Sequence, residues 1–390
     1  MIDHARGRLL WRLVESLRAF MYDGYQPDVI IALAGRALAE AERADDRAGQ
    51  AAMRHTLANA WFMLNEPRPA IRHSQLAARL YDEIGWKTGT LLALSNLVMG
   101  TTSLGNLHES LANHERIIRL WEAFEPTTKL AMALENYAIT LLWAGRAGDA
   151  LDRQLRSLRV RQALAEPPGG QARAHTVLGD IHLTLGNVEA AIDAFDRGLE
   201  AASGGSGQDR AAGRPAAGGS QVARTLAGAA LAWYLKGDAA RAADLARLAV
   251  RAAGEDRRPS SGYDEASGTL ARVDVSLGLD ERVRLLEDVL AAYRDRAYPF
   301  LDTRARVWLA EVLVEGGRPV EAARHARQAR DAAVRYGMRR LEGQALTVLA
   351  RACPDGIHDA RRAVELHREF GHRLDEAAAQ AVLDRLLDRP

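Results

Sequence analysis

Several residues in this chain are of types that could do chemistry. His175, Asp180 and His182 lie within one short stretch, His367, Glu369 and His372 within another, and Cys353 is the single cysteine. Histidines that share a zinc ion must bring their nitrogens to about 2.0–2.1 Å from it. On a helix, His175 and His182 stand two turns and about 10.5 Å apart, too far to do so. His367 and His372, five residues apart, miss the i,i+4 spacing that puts two histidines on one helical face. The sequence therefore predicts no metal site and no cofactor. Cys353, next to Pro354-Asp355-Gly356, reads as a small buried hydrophobe. Gly204-Gly205-Ser206-Gly207 imitates the start of a nucleophile elbow, but Gln208 stands where the last glycine is required and no strand precedes it. The only lysines, Lys87, Lys129 and Lys236, lie outside any phosphate-cradling loop of the G-x-x-x-x-G-K-[ST] kind. No catalytic constellation emerges, and the chain reads as a non-enzyme.

The elements that would position a binding site are clearer. A pair of a large residue and a small one recurs at Leu57-Ala58, Leu97-Val98, Tyr137-Ala138, Leu178-Gly179, Ala229-Ala230, Leu270-Ala271, Leu309-Ala310 and Leu349-Ala350, with a poorer copy at Leu17-Arg18. The steps are 40, 40, 40, 41, 51, 41, 39 and 40 residues. Turn glycines follow at Gly105, Gly145, Gly186, Gly237, Gly278 and Gly317, and small residues on the next helix at Ala70, Ser110, Ala150, Ala191, Ala242 and Ala322. Small residues let two antiparallel helices approach closely, and glycine ends the first of them. Prolines respect the frame: Pro27, Pro67, Pro69 and Pro319 fall just after a turn, where a helix begins.

Nine helical hairpins follow, with Leu374–Leu387 as a terminal helix covering the open end. The 51-residue step contains Ser203–Ser220, a Gly/Ser/Ala-rich stretch too polar to order itself. It divides the chain into an array of five hairpins (1–202), a linker loop (203–220) and an array of four hairpins with the cap (221–390).

The unit His175–Leu199, with Leu178-Gly179, Gly186, Ala191, Phe195 and Gly198, resembles the tetratricopeptide repeat. The resemblance implies an all-α, right-handed superhelical solenoid. Repeats of about 40 residues, lengthened by phrases such as Asp82-Glu-Ile-Gly-Trp-Lys-Thr-Gly89, resemble those in the C-terminal parts of large bacterial transcription regulators, of the actinobacterial antibiotic-pathway and maltose-regulator-like kinds. Those regulators also carry DNA-binding and nucleotide-binding domains, which are not seen here.

In such a stack the first helices line a concave groove. The frame places His55, Asn59, Asn96, Met99, Glu135, Asn136, Thr176, Asp180, Tyr234, Arg272 and Glu311 on it. Asparagine amides both donate to and accept from a peptide backbone. Asp274 falls at an inward position where a bare carboxylate is costly, either as a ligand anchor or through a local shift of its helix or a pairing with Arg272 or Arg282.

Composition narrows the partner. Lys and Arg total 52 against 51 Asp and Glu, a net charge of +1, so no excess of cation is present to neutralise phosphates. No apolar run reaches the ~20 residues of a membrane span, and no signal peptide is visible. One cysteine fits a reducing cytoplasm. The expected function is non-catalytic binding of a peptide or protein in the groove, as the sensor or interaction part of a bacterial regulatory system. The alternatives are a stand-alone cytosolic signalling-peptide receptor or, further off, a groove enzyme. Neither nucleic acid nor membrane is an expected partner. The linker reading predicts that limited trypsin digestion cuts first at Arg210 or Arg214, as N-terminal sequencing of the fragments will show; first cleavage inside a hairpin would displace the boundary.

Overall fold

The computed structural model describes residues 9–17, 27–64, 66–124, 127–166, 168–203, 219–254, 261–293 and 298–388. Among them are nineteen helices and no strand. Nine hairpins run in chain order: α1 (residues 9–17) with α2 (Pro27–Arg43), α3 (Arg47–Met63) with α4 (Pro67–Glu83), and α5 (Lys87–Ser103) with α6 (Leu107–Trp121). Next come α7 (Thr128–Trp143) with α8 (Ala147–Ala163), α9 (Pro168–Leu185) with α10 (Val188–Ser203), and α11 (Gly219–Leu235) with α12 (Ala239–Ala252). The last are α13 (Ser261–Val273) with α14 (Leu279–Tyr293), α15 (Pro299–Glu315) with α16 (Pro319–Tyr336), and α17 (Arg339–Ala352) with α18 (Ile357–Phe370); α19 (Arg373–Leu387) is the cap. The all-α repeat architecture expected from the sequence is present.

Local chemistry accounts for the breaks. Pro67, Pro299 and Pro319 open helices in the first turn, where a missing N–H costs nothing. Asp46 caps α3 by accepting from Gly49 N at 3.1 Å, and Asp238 caps α12 by accepting from Arg241 N at 3.0 Å. Gly105, Gly145, Gly186, Gly237 and Gly317 carry φ between 73° and 96°, which ends the first helix of each hairpin at little steric cost. Gly278 does not share this conformation. Helix α13 stops early at Val273 because Asp274 Oδ1 accepts from Ser276 N and Oγ at 3.2 and 2.6 Å, and Gly278 then supplies the carbonyl for the first turn of α14. Asp274, 1% exposed, is thus a turn-forming carboxylate. Its ion-pair partner is Arg247 at 2.7 Å rather than Arg272 or Arg282, and Arg282 Nε donates to Ala271 O at the helix end.

The expected contact residues Ala70, Ser110, Ala150, Ala191, Ala242 and Ala322 are all 0% exposed. The tightest packing surrounds Phe195, also fully buried, whose ring lies between Gly179 and Gly228; a Cβ on either would come within 2.5 Å of it.

The described residues form two compact units, 1–133 and 134–390. The first is built from α1–α6 and the start of α7, around a core that includes Val14, Ile30, Met53 and Leu57. The second holds the rest and folds back on itself. Trp143, at the end of α7, stacks on Phe300 at the start of α15, centroids 4.2 Å apart. His372 Nε2, at the start of α19, donates to Gly145 O at 2.7 Å. Arg340 on α17 donates to Thr184 Oγ1 on α9 at 3.2 Å. The division falls within α7, whereas most of the linker stretch read at 203–220, namely 204–218, lies outside the described residues. The first helices of the hairpins on either side of that stretch, α9 and α11, meet: Thr176 and Thr225 share a hydrogen bond at 2.8 Å.

Replacing Gly179 by alanine sets two effects in opposition. Helix propensity favours alanine by roughly 0.5–1 kcal/mol, whereas forcing a methyl against a rigid buried ring costs ~1–3 kcal/mol. The expected outcome is net destabilisation, read as a lower denaturant midpoint with an unchanged m-value.

Candidate functional site

Within each unit the first helices of successive hairpins come together, so a polar side chain on one reaches the next first helix about 40 residues on. In the first unit, Asn96 Nδ2 donates to Asn59 Oδ1 at 2.6 Å. His55 is buried, its ring 6.4 Å from that of Tyr81, and Met99 is half-buried.

The second unit carries a longer series. Glu135 is fully buried and is held by Arg173 at 2.8 Å and Arg161 at 3.2 Å. Arg161 also meets Glu166 at 2.8 Å, and Arg173 donates to Asn136 at 2.9 Å. Thr176 lies under Gln221, which donates to it at 2.9 Å. Asp180 faces Arg224 at 3.9 Å. Glu265 and Arg304 pair at 2.5 Å, Arg272 and Glu311 at 3.1 Å, and Arg340 and Asp375 at 2.7 Å. Arg272 and Arg304 both lie over the ring of Trp308, at 5.3 and 4.5 Å from its centroid. Tyr234 is exposed.

The residues expected on the groove are therefore of two kinds. His55, Glu135 and Thr176 are buried between helices, and Asn59, Asn96, Asn136, Asp180, Arg272 and Glu311 are half-buried members of pairs. The arginine partners of Glu135, Asn136 and Asp180, namely Arg161, Arg173 and Arg224, were missed by reading along one helix. The signal was available: 37 residues separate Asn59 from Asn96 and Asn136 from Arg173, and 39 separate Arg272 from Glu311.

Asp180 is the pivot of the charged series. Burial pushes its carboxyl up to about 6, with Glu265 adding to the rise while Arg224, Arg304 and Arg340 oppose it. Burial likewise raises Glu311 against the pull of Arg272. Asp375 goes the other way: burial alone would raise it, but Arg340, His367 and Gln344 hold it at about 2.

A third cluster combines residues that the sequence kept apart. Gly371, with φ 72°, turns the chain between α18 and α19 and brings His367 Nδ1 to 3.3 Å from His372 Nδ1. Asp375 completes a group in which one donor atom from each residue lies within 4.8 Å of the others. His367 lies on α18 and His372 at the start of α19, so the i,i+4 spacing of one continuous helix does not apply to them. His175 and His182, by contrast, stay apart on α9.

The native state holds the Asp180 proton more tightly than the unfolded chain, so this group's contribution to stability is full below pH ~3.8 and is lost as pH rises through about 6. Asp180→Asn removes that dependence. The melting temperature of the variant relative to wild type is expected to climb between about pH 4 and 6 and to level off above; a constant difference would mean that the group titrates normally.

Residues 129–203 match the tetratricopeptide repeat family, and no curated protein matches the sequence. Among solved structures, the apo quorum sensor NprR from B. thuringiensis is similar with a TM-score of 0.55 at 14% identity, over 84% of this chain and 94% of that one. The apo form of RapI aligns at 0.53 and 14% identity, over 74% of this chain and 98% of that one. The Rap conjugation gene regulator of plasmid pLS20, in complex with the Phr* peptide, aligns at 0.50 and 12% identity, over 86% and 96%. At these identities the likeness is one of fold: this chain has the helical-repeat architecture of those proteins.

Proposed function

We propose that this chain is a non-catalytic peptide receptor that takes an extended segment, free or part of a protein partner, along the first-helix face of its second unit. It acts as the sensing part of a bacterial transcription-regulatory system in the cytoplasm. The observation that carries the reading is the series of half-buried polar pairs between consecutive first helices: Asn136 with Arg173, Asp180 with Arg224, Arg272 with Glu311. Such pairs are held in place by packing beneath them yet keep donor and acceptor capacity toward the open face, as recognition of a backbone with charged side chains requires. The titratable groups on this face are held by one another, an arrangement for orienting a ligand rather than attacking it.

The architecture shared with a quorum sensor and a peptide-bound conjugation regulator supports a peptide as the occupant. Near-neutral charge disfavours nucleic acid as a direct partner. Among the described residues no helix is long and apolar enough to cross a membrane.

The test is selection from a randomised peptide library against the purified protein, followed by affinity measurement on variants. Arg224→Ala removes a hydrogen bond to a charged group worth ~1.5–3 kcal/mol, which corresponds to roughly a ten- to hundredfold loss of affinity. Arg362→Ala, at an exposed ion pair with Glu365 on α18, is expected to leave affinity unchanged. A library that yields no binder, or a selected peptide that ignores Arg224→Ala, argues against this face as the site.

A further inference from the structure

The cluster at the α18–α19 junction is not explained by peptide binding or by packing. Its three residues have counterparts one repeat earlier, where α16 meets α17 through Gly337, also at φ 72°. There Ala333, Met338 and Leu341 take the places of His367, His372 and Asp375, with exposures of 0%, 0% and 5%. The same helix junction is thus closed by three apolar residues in one repeat and by three metal-ligand types in the next. Packing alone does not call for the second set, since burying polar groups is the costlier way to fill the space.

We propose that His367, His372 and Asp375 form a binding site for a divalent transition-metal ion, with zinc the ion whose preferences they fit. Two nitrogens bound to a tetrahedral zinc at about 2.05 Å stand about 3.3 Å from one another, and the two Nδ1 atoms are 3.3 Å apart. His372 Nε2 donates to Gly145 O at 2.7 Å. That bond fixes the tautomer and leaves the Nδ1 lone pair directed into the cluster, as a backbone carbonyl does behind many metal-bound histidines.

Without metal, the contact between the two rings is a hydrogen bond that needs a hydrogen on His367 Nδ1. Metal binding requires the hydrogen to sit on His367 Nε2 instead, and the buried ring has the backbone of Gly343 as a hydrogen-bond partner. The ring has room because Gly343 faces it; a Cβ there would lie 2.5 Å from His367 Cε1. Asp375 is oriented by Arg340 at 2.7 Å and Gln344 at 2.9 Å, so its carboxylate is already turned toward the cluster. Three protein ligands leave a fourth position for water.

The preceding repeat supplies the test variants. The full-length protein, stripped with a chelator, is titrated with zinc by calorimetry, and with cobalt(II) while visible absorption is followed. The expected result for wild type is one saturable site of micromolar or tighter affinity, a four-coordinate cobalt spectrum, and a melting temperature raised by zinc. His372→Met and His367→Ala each install the residue that the neighbouring repeat tolerates. Each is expected to fold, to lose at least tenfold in affinity, and to lose the zinc-dependent shift in melting. Absence of saturable uptake by wild type overturns the proposal and leaves a neutral histidine pair. Uptake that persists unchanged in both variants places the metal elsewhere and overturns it equally. Should one variant fail to fold, the other decides.

Discussion

How closely one helix can approach the next governs the rest of this structure. At the contact positions Ala70, Ala150, Ala191, Ala242 and Ala322 nothing larger than a methyl separates two backbones, and each is wholly buried. That close approach limits the contact itself to small residues, and larger side chains such as Ile30, Met53, Leu134, Leu286 and Leu309 fill the space beside it. Phe195, the largest of the fully buried side chains, fits because Gly179 and Gly228 yield to its ring. The same closeness brings polar side chains on neighbouring first helices within hydrogen-bonding reach. The pairs of the interior face are therefore a geometric consequence of the alanines beneath them.

Those pairs also explain how a chain with over a hundred ionisable acidic and basic residues keeps a net charge of +1. Charge is balanced locally, repeat by repeat: Glu135 with Arg161 and Arg173, Glu265 with Arg304, Asp375 with Arg340. A buried carboxylate such as Glu135 is tolerable only because two guanidiniums reach it, and removal of either would leave charge uncompensated in a poorly solvated place. Asp180, with Arg224 at the limit of ion-pair distance, is the least well compensated, which is why its proton is held so tightly.

Much of this was legible in the sequence because repeat proteins write the same sentence many times. Hairpins, turn glycines, contact alanines and helix-opening prolines all appear where the period put them. Legibility failed where one repeat departs from its neighbours. Asp274 ends α13 early, so the glycine expected in the turn at Gly278 serves the next helix instead. His367 and His372 look wrongly spaced until the left-handed Gly371 is placed between them. Glu135 and Thr176 were assigned to an open face from their register, yet the neighbouring helix covers them. For Glu135 and Thr176 the deciding contact comes from another helix, and for Asp274 and the two histidines from a turn of the chain; a single-helix register contains no information about either.

The return of the second unit onto its own beginning changes how that unit should come apart. An open stack of repeats is close to one-dimensional, so its end units fray first and stability adds up from nearest neighbours. Here the bond from His372 to Gly145 joins residues 227 positions apart, and Trp143 on Phe300 adds a second such tie. With the terminal helix fastened to the first turns of the same unit, fraying at the C-terminus must break these ties as well as a neighbour contact. Such a unit should lose structure in one cooperative step, with its most distant repeats protected from amide exchange to a similar degree. It should also fold more slowly than an open array of equal length, because the ties form only after a long loop has closed.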